Sequence, residues 1–198
     1  MMVKICGITT WEDATAAVVA GATALGFNFY PKSPRYISPE NAAQIIETIP
    51  DGVVKVGVFV NEQPAKMQEI ATLSGIEVLQ LHGDETPESL TSFGGRIWKA
   101  FCVNETWNPD ALYDWQTEAV LLDGPHAGSG QPFDWTRAKG VGRKIILAGG
   151  LDASNVATAI RTVRPWGVDA CSRLESSPGR KDHKKMQRFI EAALSENL

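Results

Sequence analysis

The chain has 198 residues, of which 43% are hydrophobic, and it carries a formal net charge of −4 at pH 7. This length fits one domain, and this apolar fraction is ample for a packed core. The acidic balance, without a run of lysines and arginines, argues against nucleic acid and against an anionic membrane as partners. No signal-peptide pattern is present, and no apolar run approaches the roughly 18 residues of a membrane span. We therefore expect a cytoplasmic protein with a small-molecule partner.

Eight short apolar runs alternate with helix-like segments along the chain. In order, they are residues 3–8, 24–30, 54–60, 78–81, 97–103, 119–122, 144–148 and 168–172. Apolar residues occupy successive positions in these runs, which is typical of parallel strands that are covered on both faces. Polar residues with N-cap chemistry precede amphipathic segments at five positions: Ser38, Asn61, Thr86, Asp152 and Asp182. At Ser38 and Thr86 a first-turn proline follows, which strengthens the helix signal.

Eight β-α units predict a single (β/α)8 TIM barrel of the α/β class, formed by residues 1–198 as one catalytic domain. Segment 133–141 is predicted to be the shortest unit. A doubly wound open sheet is the competing architecture, because it uses the same alternation, although it usually has fewer strands.

In a TIM barrel the catalytic side chains lie where strands end, because only the C-terminal rim gathers all eight units around one ligand. The predicted rim carries a thiol, an imidazole, a carboxylate and a guanidinium, on Cys6, His82, Asp123 and Arg35. This set suits proton transfer better than hydride or redox chemistry. No dinucleotide fingerprint follows the first run and no Walker-type loop occurs. We therefore expect an enzyme that uses no cofactor.

A phosphate site is predicted after the seventh and eighth strands, which is the usual place for one in this fold. Gly149 and Gly150 follow the seventh strand, and Ser172 and Arg173 follow the eighth. Glycines let backbone N–H groups approach an anion closely, and a nearby helix N-terminus adds a favourable dipole. A Gly-Gly pair alone is more often a tight turn. The prediction of a phosphate site therefore depends on the position of this pair after the seventh strand.

Three cysteines, Cys6, Cys102 and Cys171, occur without the spacing of a zinc site or a redox motif. Their odd number argues against a disulfide framework, so we expect reduced thiols. An isolated cysteine in an apolar strand is usually a small buried hydrophobic residue. This interpretation applies to Cys102 and Cys171. Cys6 differs, because it ends a strand next to a glycine.

Several sequence blocks together resemble the phosphoribosylanthranilate isomerase family of tryptophan biosynthesis. They are VKICGIT at 3–9, GFNFYPKSPRYI at 26–37, VGVFV at 56–60, LQLHG at 79–83, LLD at 121–123, FDW at 133–135, LAGGL at 147–151 and GVD at 167–169. The blocks span the whole chain in the family's order, which is far more specific than any one of them. The resemblance implies the barrel fold independently of the strand count.

The resemblance also implies a reaction, the Amadori rearrangement of N-(5-phosphoribosyl)anthranilate to 1-(2-carboxyphenylamino)-1-deoxyribulose 5-phosphate. By the same resemblance, Asp123 is the general acid that opens the furanose ring, and Cys6 is the general base that removes the sugar C2 proton. Arg35 is expected to clamp the anthranilate carboxylate. His82 and Asp169 are expected to lie beside the substrate.

Both catalytic assignments need a shifted pKa. An aspartate with a pKa of about 3.9 is ionised at neutral pH, so burial must raise the pKa of Asp123. A thiol with a pKa of about 8.5 is mostly protonated, so a local group must favour the thiolate of Cys6. The candidates are Lys4, which shares a strand face with Cys6, backbone donors around Gly7, and the bound substrate.

Two places depart from the common family pattern. The loop after strand six reads HAGSG at 126–130 where Gly-Gly-Thr-Gly is more usual, and residues 171–173 read Cys-Ser-Arg where Ser-Ser-Gly is more usual. The glycines of the first loop still allow closure over the substrate. Arg173 either brings a cation to the phosphate or points outward and leaves the backbone contacts unchanged.

Three alternatives stay open at this point. One is a metal-dependent lyase or hydrolase with Cys6, His82 and Asp123 as ligands. The second is a non-catalytic barrel that senses a phosphorylated ligand. The third is a related sugar-phosphate isomerase of the same fold. The oligomeric state is taken as monomeric by default.

Overall fold

A computed structural model of the chain describes residues 1–90, 95–125 and 132–196. Eight parallel strands close into a barrel in chain order, because β1 pairs with both β2 and β8. The strands are β1 (Met2–Ile5), β2 (Ala24–Asn28), β3 (Val54–Phe59), β4 (Val78–Leu81), β5 (Arg96–Cys102), β6 (Ala119–Asp123), β7 (Ile145–Leu147) and β8 (Gly167–Ala170). The closed barrel is confirmed over the open sheet, and all eight predicted runs contain a strand.

Five α-helices accompany the strands in the described ranges. They are α1 (Trp11–Ala20), α2 (Pro39–Ile46), α3 (Pro64–Ser74), α4 (Val156–Val163) and α5 (His183–Ser195). Two predicted caps are confirmed: Ser38 accepts a hydrogen bond from the backbone N–H of Asn41, and Asp182 accepts from the backbone N–H groups of Lys184 and Lys185. Within the described ranges, no helix combines the length and apolar character that crossing a bilayer requires.

Two predicted caps are wrong, because the loops use those side chains differently. Asn61 has a left-handed backbone with φ of 53°, and its Oδ1 accepts from the backbone N–H of Asp84 at 2.7 Å. Helix α3 therefore starts later, after Gln63. Asp152 holds a turn by accepting from the backbone N–H of Ser154 at 2.8 Å, and the cap position of α4 is Asn155.

Three consecutive connections differ from the others in the kind of helix they hold. In their described parts, the segments after β4, β5 and β6 hold a 3-10 turn instead of an α-helix, at Pro87–Leu90, Pro109–Leu112 and Trp135–Ala138. Segment 133–141, predicted to be the shortest unit, holds one of these turns, but the connection after β4 is the shorter one. The helix expected after Thr86 is also only such a turn in the described residues.

Side chains of the strands alternate between the barrel interior and the helices. In β1, Val3 and Ile5 pack in the outer core, whereas Met2 packs in a separate inner cluster. That cluster takes alternate residues of the strands: Met2, Ala24, Val56, Val78, Trp98, Ala100, Ala119, Leu121, Ile146 and Ala148. The same alternation, continued toward the carboxyl ends of β1, β4 and β6, puts Cys6, His82 and Asp123 on the inward face.

A two-stranded hairpin follows β8 before the last helix. It consists of β9 (Glu175–Ser177) and β10 (Arg180–Lys181), which pair antiparallel. A 3-10 turn at Ser172–Leu174 connects it to β8. The hairpin brings additional charged side chains to the rim next to β1.

Candidate active site

The Cys6 thiol lies among close neighbours at the end of β1. Gly7 has a φ of +73°, and a Cβ on it would lie 2.8 Å from Arg35 Cδ and 2.9 Å from Cys171 Sγ. A Cβ on Gly26 of the adjacent strand would lie 2.8 Å from Cys6 Sγ and 3.0 Å from Lys4 Nζ. Both glycines therefore make room for the thiol and for the cations around it.

These neighbours hold the pKa of Cys6 well below its ordinary range. The main cause is the hydrogen bond with the Cys171 thiol, and the charges of Lys4 and Lys181 act in the same direction against the effect of burial. Lys4 is thus one of the groups that favour the thiolate, as expected from its position on the strand. Cys171 and Lys181 were not among the candidates.

Two cysteine interpretations are wrong. Cys171 is half-buried and faces Cys6, and its own pKa is raised well above the ordinary range by that hydrogen bond and by burial. It is therefore the thiol that keeps its proton. Cys102, at the end of β5, is exposed instead of buried. The sequence pattern misled because both residues end strands at the rim, where packing is incomplete.

A buried ion pair lies one layer beneath the thiol. Lys4 and Asp169 are register partners on β1 and β8, and their Nζ and Oδ1 atoms lie 2.9 Å apart. Burial raises the pKa of Asp169 to about 6 against the opposing effect of Lys4. Despite burial, Asp169 and Cys6 raise the pKa of Lys4 above its usual range, so the ammonium stays charged. Asp169 is thus engaged below the rim, where it also lines a small cavity.

Glu175 is a buried carboxylate that binds several cationic groups. Arg35 pairs with it through Nε and Nη2, both at 2.8 Å, and Lys181 Nζ lies 3.1 Å from its Oε1. This bidentate contact raises the pKa of Arg35. Arg35 therefore lies at the rim as predicted, with part of its guanidinium bound to the protein.

Asp123 occupies the opposite side of the rim, at the end of β6. Its side chain is nearly buried, and its Oδ1 accepts from the backbone N–H of Gly124 at 2.7 Å. His82 Nε2 lies 3.5 Å from its Oδ2, and Gln80 Nε2 lies 3.4 Å from the other ring nitrogen of His82. The structure thus brings His82 and Asp123 together.

Two openings meet at Asp123. A cavity of about 440 Å³ is lined by residues of the loops after β3 to β6, including His82 and Asp123. A smaller one of about 40 Å³ is lined by the loops after β7 and β8, including Asp123, Gly149 and Gly150. Asp123 is therefore placed to reach a ligand that extends from one opening to the other.

The glycine loop after β7 has the geometry that its sequence predicted. Gly149 and Gly150 have φ angles of +79° and +65°, which other residues adopt with strain. A Cβ on Gly149 would lie 2.8 Å from the backbone nitrogen of Gly124, so the two loops touch. Asn155 ties the loop to the start of α4 by donating to the carbonyl of Gly150 at 2.8 Å.

Arg173 lies beside this loop rather than away from it. Its Nε is 2.7 Å from Asp152 Oδ2, and its Nη1 donates to the Gly150 carbonyl at 3.3 Å. Ser172 lines the same small cavity. The guanidinium is thus near the predicted phosphate position but partly neutralised by Asp152.

The loop at 126–130, predicted to close over a substrate, lies outside the described residues. Among the residues that are described, no three His, Cys, Asp or Glu side chains are close enough together to share a metal ion, and Cys6, His82 and Asp123 form no such group.

Sequence reasoning missed Glu175 and Lys181 as members of the rim. They come from the hairpin after β8, which supplies two charges next to Cys171. The Pro178-Gly179 dipeptide is a turn signal that could have revealed the hairpin. No spacing rule would have placed its side chains.

Comparison with known proteins finds relatives along nearly the whole chain. Residues 3–192 match the family model described as N-(5'phosphoribosyl)anthranilate (PRA) isomerase. A relative in Solibacter usitatus, named N-(5'-phosphoribosyl)anthranilate isomerase, is 52% identical over 197 residues, which cover 98% of this chain and 97% of the relative.

Solved structures give the same result. Phosphoribosyl anthranilate isomerase from Thermus thermophilus has a TM-score of 0.93 at 38% identity, with 98% of this chain and 99% of that chain covered. A phosphoribosyl anthranilate isomerase in complex with reduced 1-(O-carboxyphenylamino)-1-deoxyribulose 5-phosphate has a TM-score of 0.89 at 42% identity, with the same coverage.

Proposed function

The chain belongs to the N-(5'-phosphoribosyl)anthranilate isomerase family, and on this basis we propose that Cys6 and Asp123 carry the proton transfers of its reaction. The enzyme isomerises an aminoaldose to an aminoketose in tryptophan biosynthesis. The observation that carries the assignment is the position of the Cys6 thiol at the end of β1 beside Lys4, where the Cys171 thiol and the Lys4 ammonium lower its pKa. Asp123 faces the same rim from β6.

The two residues act in successive steps. Asp123 gives a proton to the furanose ring oxygen as the bond from C1 to that oxygen breaks, and the anthranilate nitrogen forms a Schiff base with C1. The Cys6 thiolate then removes the C2 proton, and the electrons of that bond form an enolamine. Tautomerisation moves a proton to C1 and leaves the ketone at C2. C1 of the sugar is reduced and C2 is oxidised by the same amount within one molecule. We therefore propose that no cofactor takes part.

Turnover of N-(5-phosphoribosyl)anthranilate by the purified chain tests the reaction itself. The substrate is generated in situ, and its anthranilate fluorescence is followed as it disappears. We expect enzyme-dependent loss of fluorescence. Binding of the substrate without turnover would instead support the sensor alternative.

We propose that the substrate phosphate lies at the small opening between the loops after β7 and β8. Backbone N–H groups of Gly149 and Gly150 and the hydroxyl of Ser172 support this, as does the nearby start of α4. Arg173 adds a cation whose charge is shared with Asp152. The bound product analogue of the solved relative is itself a 5-phosphate.

Replacing Arg173 with alanine is expected to raise KM about two- to fivefold with little change in kcat, because a half-exposed charge contributes weakly to binding. Steady-state kinetics measures both constants. Arg173→Lys, which keeps the charge, is the matched control and should stay close to the wild type. An unchanged KM in Arg173→Ala would remove the cationic role and leave the backbone contacts alone.

We propose that Arg35 binds the anthranilate carboxylate. Its contact with Glu175 uses Nε and Nη2, which fixes the plane of the guanidinium beside Cys6 and leaves Nη1 to serve a ligand. His82 is proposed to lie against the substrate and to hold Asp123 in place. Asp169 supports the site from below through Lys4.

Replacing Arg35 with lysine is expected to raise KM about tenfold or more, because lysine keeps the charge but loses the planar fork. A cation remains beside Glu175, so the buried carboxylate is not left unpaired. The measurement is KM for the substrate, with thermal unfolding as the fold control. Wild-type KM in Arg35→Lys would argue that Arg35 only neutralises Glu175.

We propose that residues 1–198 form one catalytic domain, which the strand pairing all round the barrel supports. We also propose that it acts in the cytoplasm as a monomer. The three cysteines are free thiols, which supports a reducing compartment.

A further inference from the structure

We propose that Cys171 and Lys181 are positioning residues for the catalytic base: Lys181 holds the Cys171 thiol so that its S–H points to the Cys6 sulfur and stabilises the thiolate. This inference rests on the proposed role of Cys6. Residue 171 is a cysteine here, whereas the family pattern more commonly has serine at this position. The thiol pair is therefore a feature of this chain's own sequence.

Strand pairing places the two thiols side by side. Ile5 and Ala170 are register partners on β1 and β8, and the backbone N–H of Cys6 donates to the carbonyl of Ala170 at 3.0 Å. The next residues along the two strands are Cys6 and Cys171. Adjacent strands are about 4.8 Å apart. The Cys171 sulfur lies over Gly7, the residue after Cys6, at 2.9 Å from the position of a Cβ there.

Lys181 fixes the Cys171 thiol from the other side. Its side chain is fully buried, and its Nζ lies 3.4 Å from the Cys171 carbonyl and 3.7 Å from the Cys171 sulfur. An ammonium only donates, so the sulfur of Cys171 accepts from Lys181. Its S–H is then directed to another acceptor, and such a chain of donors is mutually reinforcing.

Two groups can accept from that S–H, Glu175 Oε1 and the Cys6 sulfur, and the first is already occupied. Glu175 Oε1 is 3.9 Å from the Cys171 sulfur, but it also accepts from Arg35 Nε, Lys181 Nζ and the backbone N–H of Gly179. The Cys6 sulfur is the less crowded acceptor. The S–H of Cys171 therefore donates to the Cys6 thiolate.

The charge balance of the cluster favours the same arrangement. The charged groups around Cys6 are Lys4 on β1, Arg35 after β2, Asp169 on β8, Glu175 on β9 and Lys181 on β10, with Asp123 farther across the rim on β6. The cluster around the thiol contains three cations (Lys4, Arg35 and Lys181) and two carboxylates (Asp169 and Glu175). One positive charge stays unmatched while Cys6 is a neutral thiol, and the thiolate balances it.

The test reads the Cys6 thiol directly instead of turnover. Cys6 is alkylated with iodoacetamide over a range of pH, and the modified peptide is quantified by mass spectrometry, which separates it from Cys102 and Cys171. Only the thiolate reacts, so the midpoint of the rate against pH reports the Cys6 titration. The folded full-length chain is used throughout.

Cys171→Ala is expected to move this midpoint up by about one pH unit, the effect of losing a hydrogen bond to a charged group. Cys171→Ser should stay close to the wild type, because a hydroxyl also donates. A merely structural role would not distinguish alanine from serine in this way. An unchanged midpoint in Cys171→Ala would overturn the proposal for Cys171.

Lys181→Met is expected to raise the midpoint as well. Lys55→Met is its matched control, because Lys55 is also buried and paired, with Glu77 at 3.1 Å, but lies at the opposite end of the barrel. Equal midpoints in the two variants would overturn the role of Lys181. If Cys6 were not the base, Cys6→Ala would keep its activity while these alkylation shifts persisted, so the two failures are distinguishable.

Discussion

Cys6→Ala is expected to lower kcat by about 10³- to 10⁴-fold, because the variant has no group at the end of β1 to remove the C2 proton. Cys6→Ser is expected to lose nearly as much. Its hydroxyl has the size of the thiol, but it does not ionise near neutral pH even between Lys4 and Cys171. The serine variant therefore separates the shape of the site from its acid–base chemistry.

Binding should survive both changes, which identifies the loss as chemical. The reduced product analogue found with a solved relative is a suitable probe, and its affinity for Cys6→Ser should stay within a few-fold of the wild type. Thermal unfolding checks that the barrel is intact. A Cys6→Ser variant with more than about a tenth of the wild-type kcat would remove Cys6 from its role.

Asp123→Asn is expected to lower kcat by about 10²- to 10⁴-fold. The amide has the size of the carboxyl group and can still accept from the backbone N–H of Gly124, but it cannot supply the proton that opens the furanose ring. Because ring opening precedes C2 proton removal, the substrate should accumulate as the closed ring. Single-turnover measurements follow this step.

The control is Asp51→Asn, the same chemical change at an exposed turn before β3, away from the rim. It should leave kcat unaltered. Near-normal kcat in Asp123→Asn would mean that another group protonates the ring oxygen. His82 would then be the first residue to examine, because its Nε2 lies 3.5 Å from Asp123.

Much of the barrel was predictable because its signal is local. Each strand is a short apolar run, and the order of the runs fixes the order of the strands in a closed parallel barrel. The residues that end β1, β4 and β6 were predictable as rim residues for the same reason. Cys6, His82 and Asp123 then face inward because side chains alternate along a strand.

The groups that lower the pKa of Cys6 were harder to predict from the sequence, because long-range packing brings them together. Arg35 and Glu175 are 140 positions apart in the chain, yet they form a bidentate pair. Lys181 reaches the rim only through the β9–β10 hairpin. Cys171 was misread because the usual environment of a strand cysteine says nothing about the thiol on the neighbouring strand.

Two of the predicted helix starts are right and two are wrong, for a different reason. Ser38 and Asp182 cap helices through their own side chains, so their sequence signals hold. Asn61 and Asp152 have the same chemistry but bind Asp84 and Ser154 in loops. A polar side chain before a helix satisfies whichever backbone donor the loop presents, and the sequence does not specify that donor.

The pH dependence of kcat/KM for the wild-type enzyme tests the central claim most directly. A general base must be deprotonated, so activity falls as pH decreases through the pKa of the free enzyme. We predict an acid limb well below the ordinary thiol pKa of about 8.5, and this limb reports the titration of the Cys6–Cys171 pair. The limb should move upward in Cys171→Ala, whereas ionisations of the substrate would stay in place. An acid limb at or above the ordinary thiol pKa would contradict a preformed Cys6 thiolate as the base.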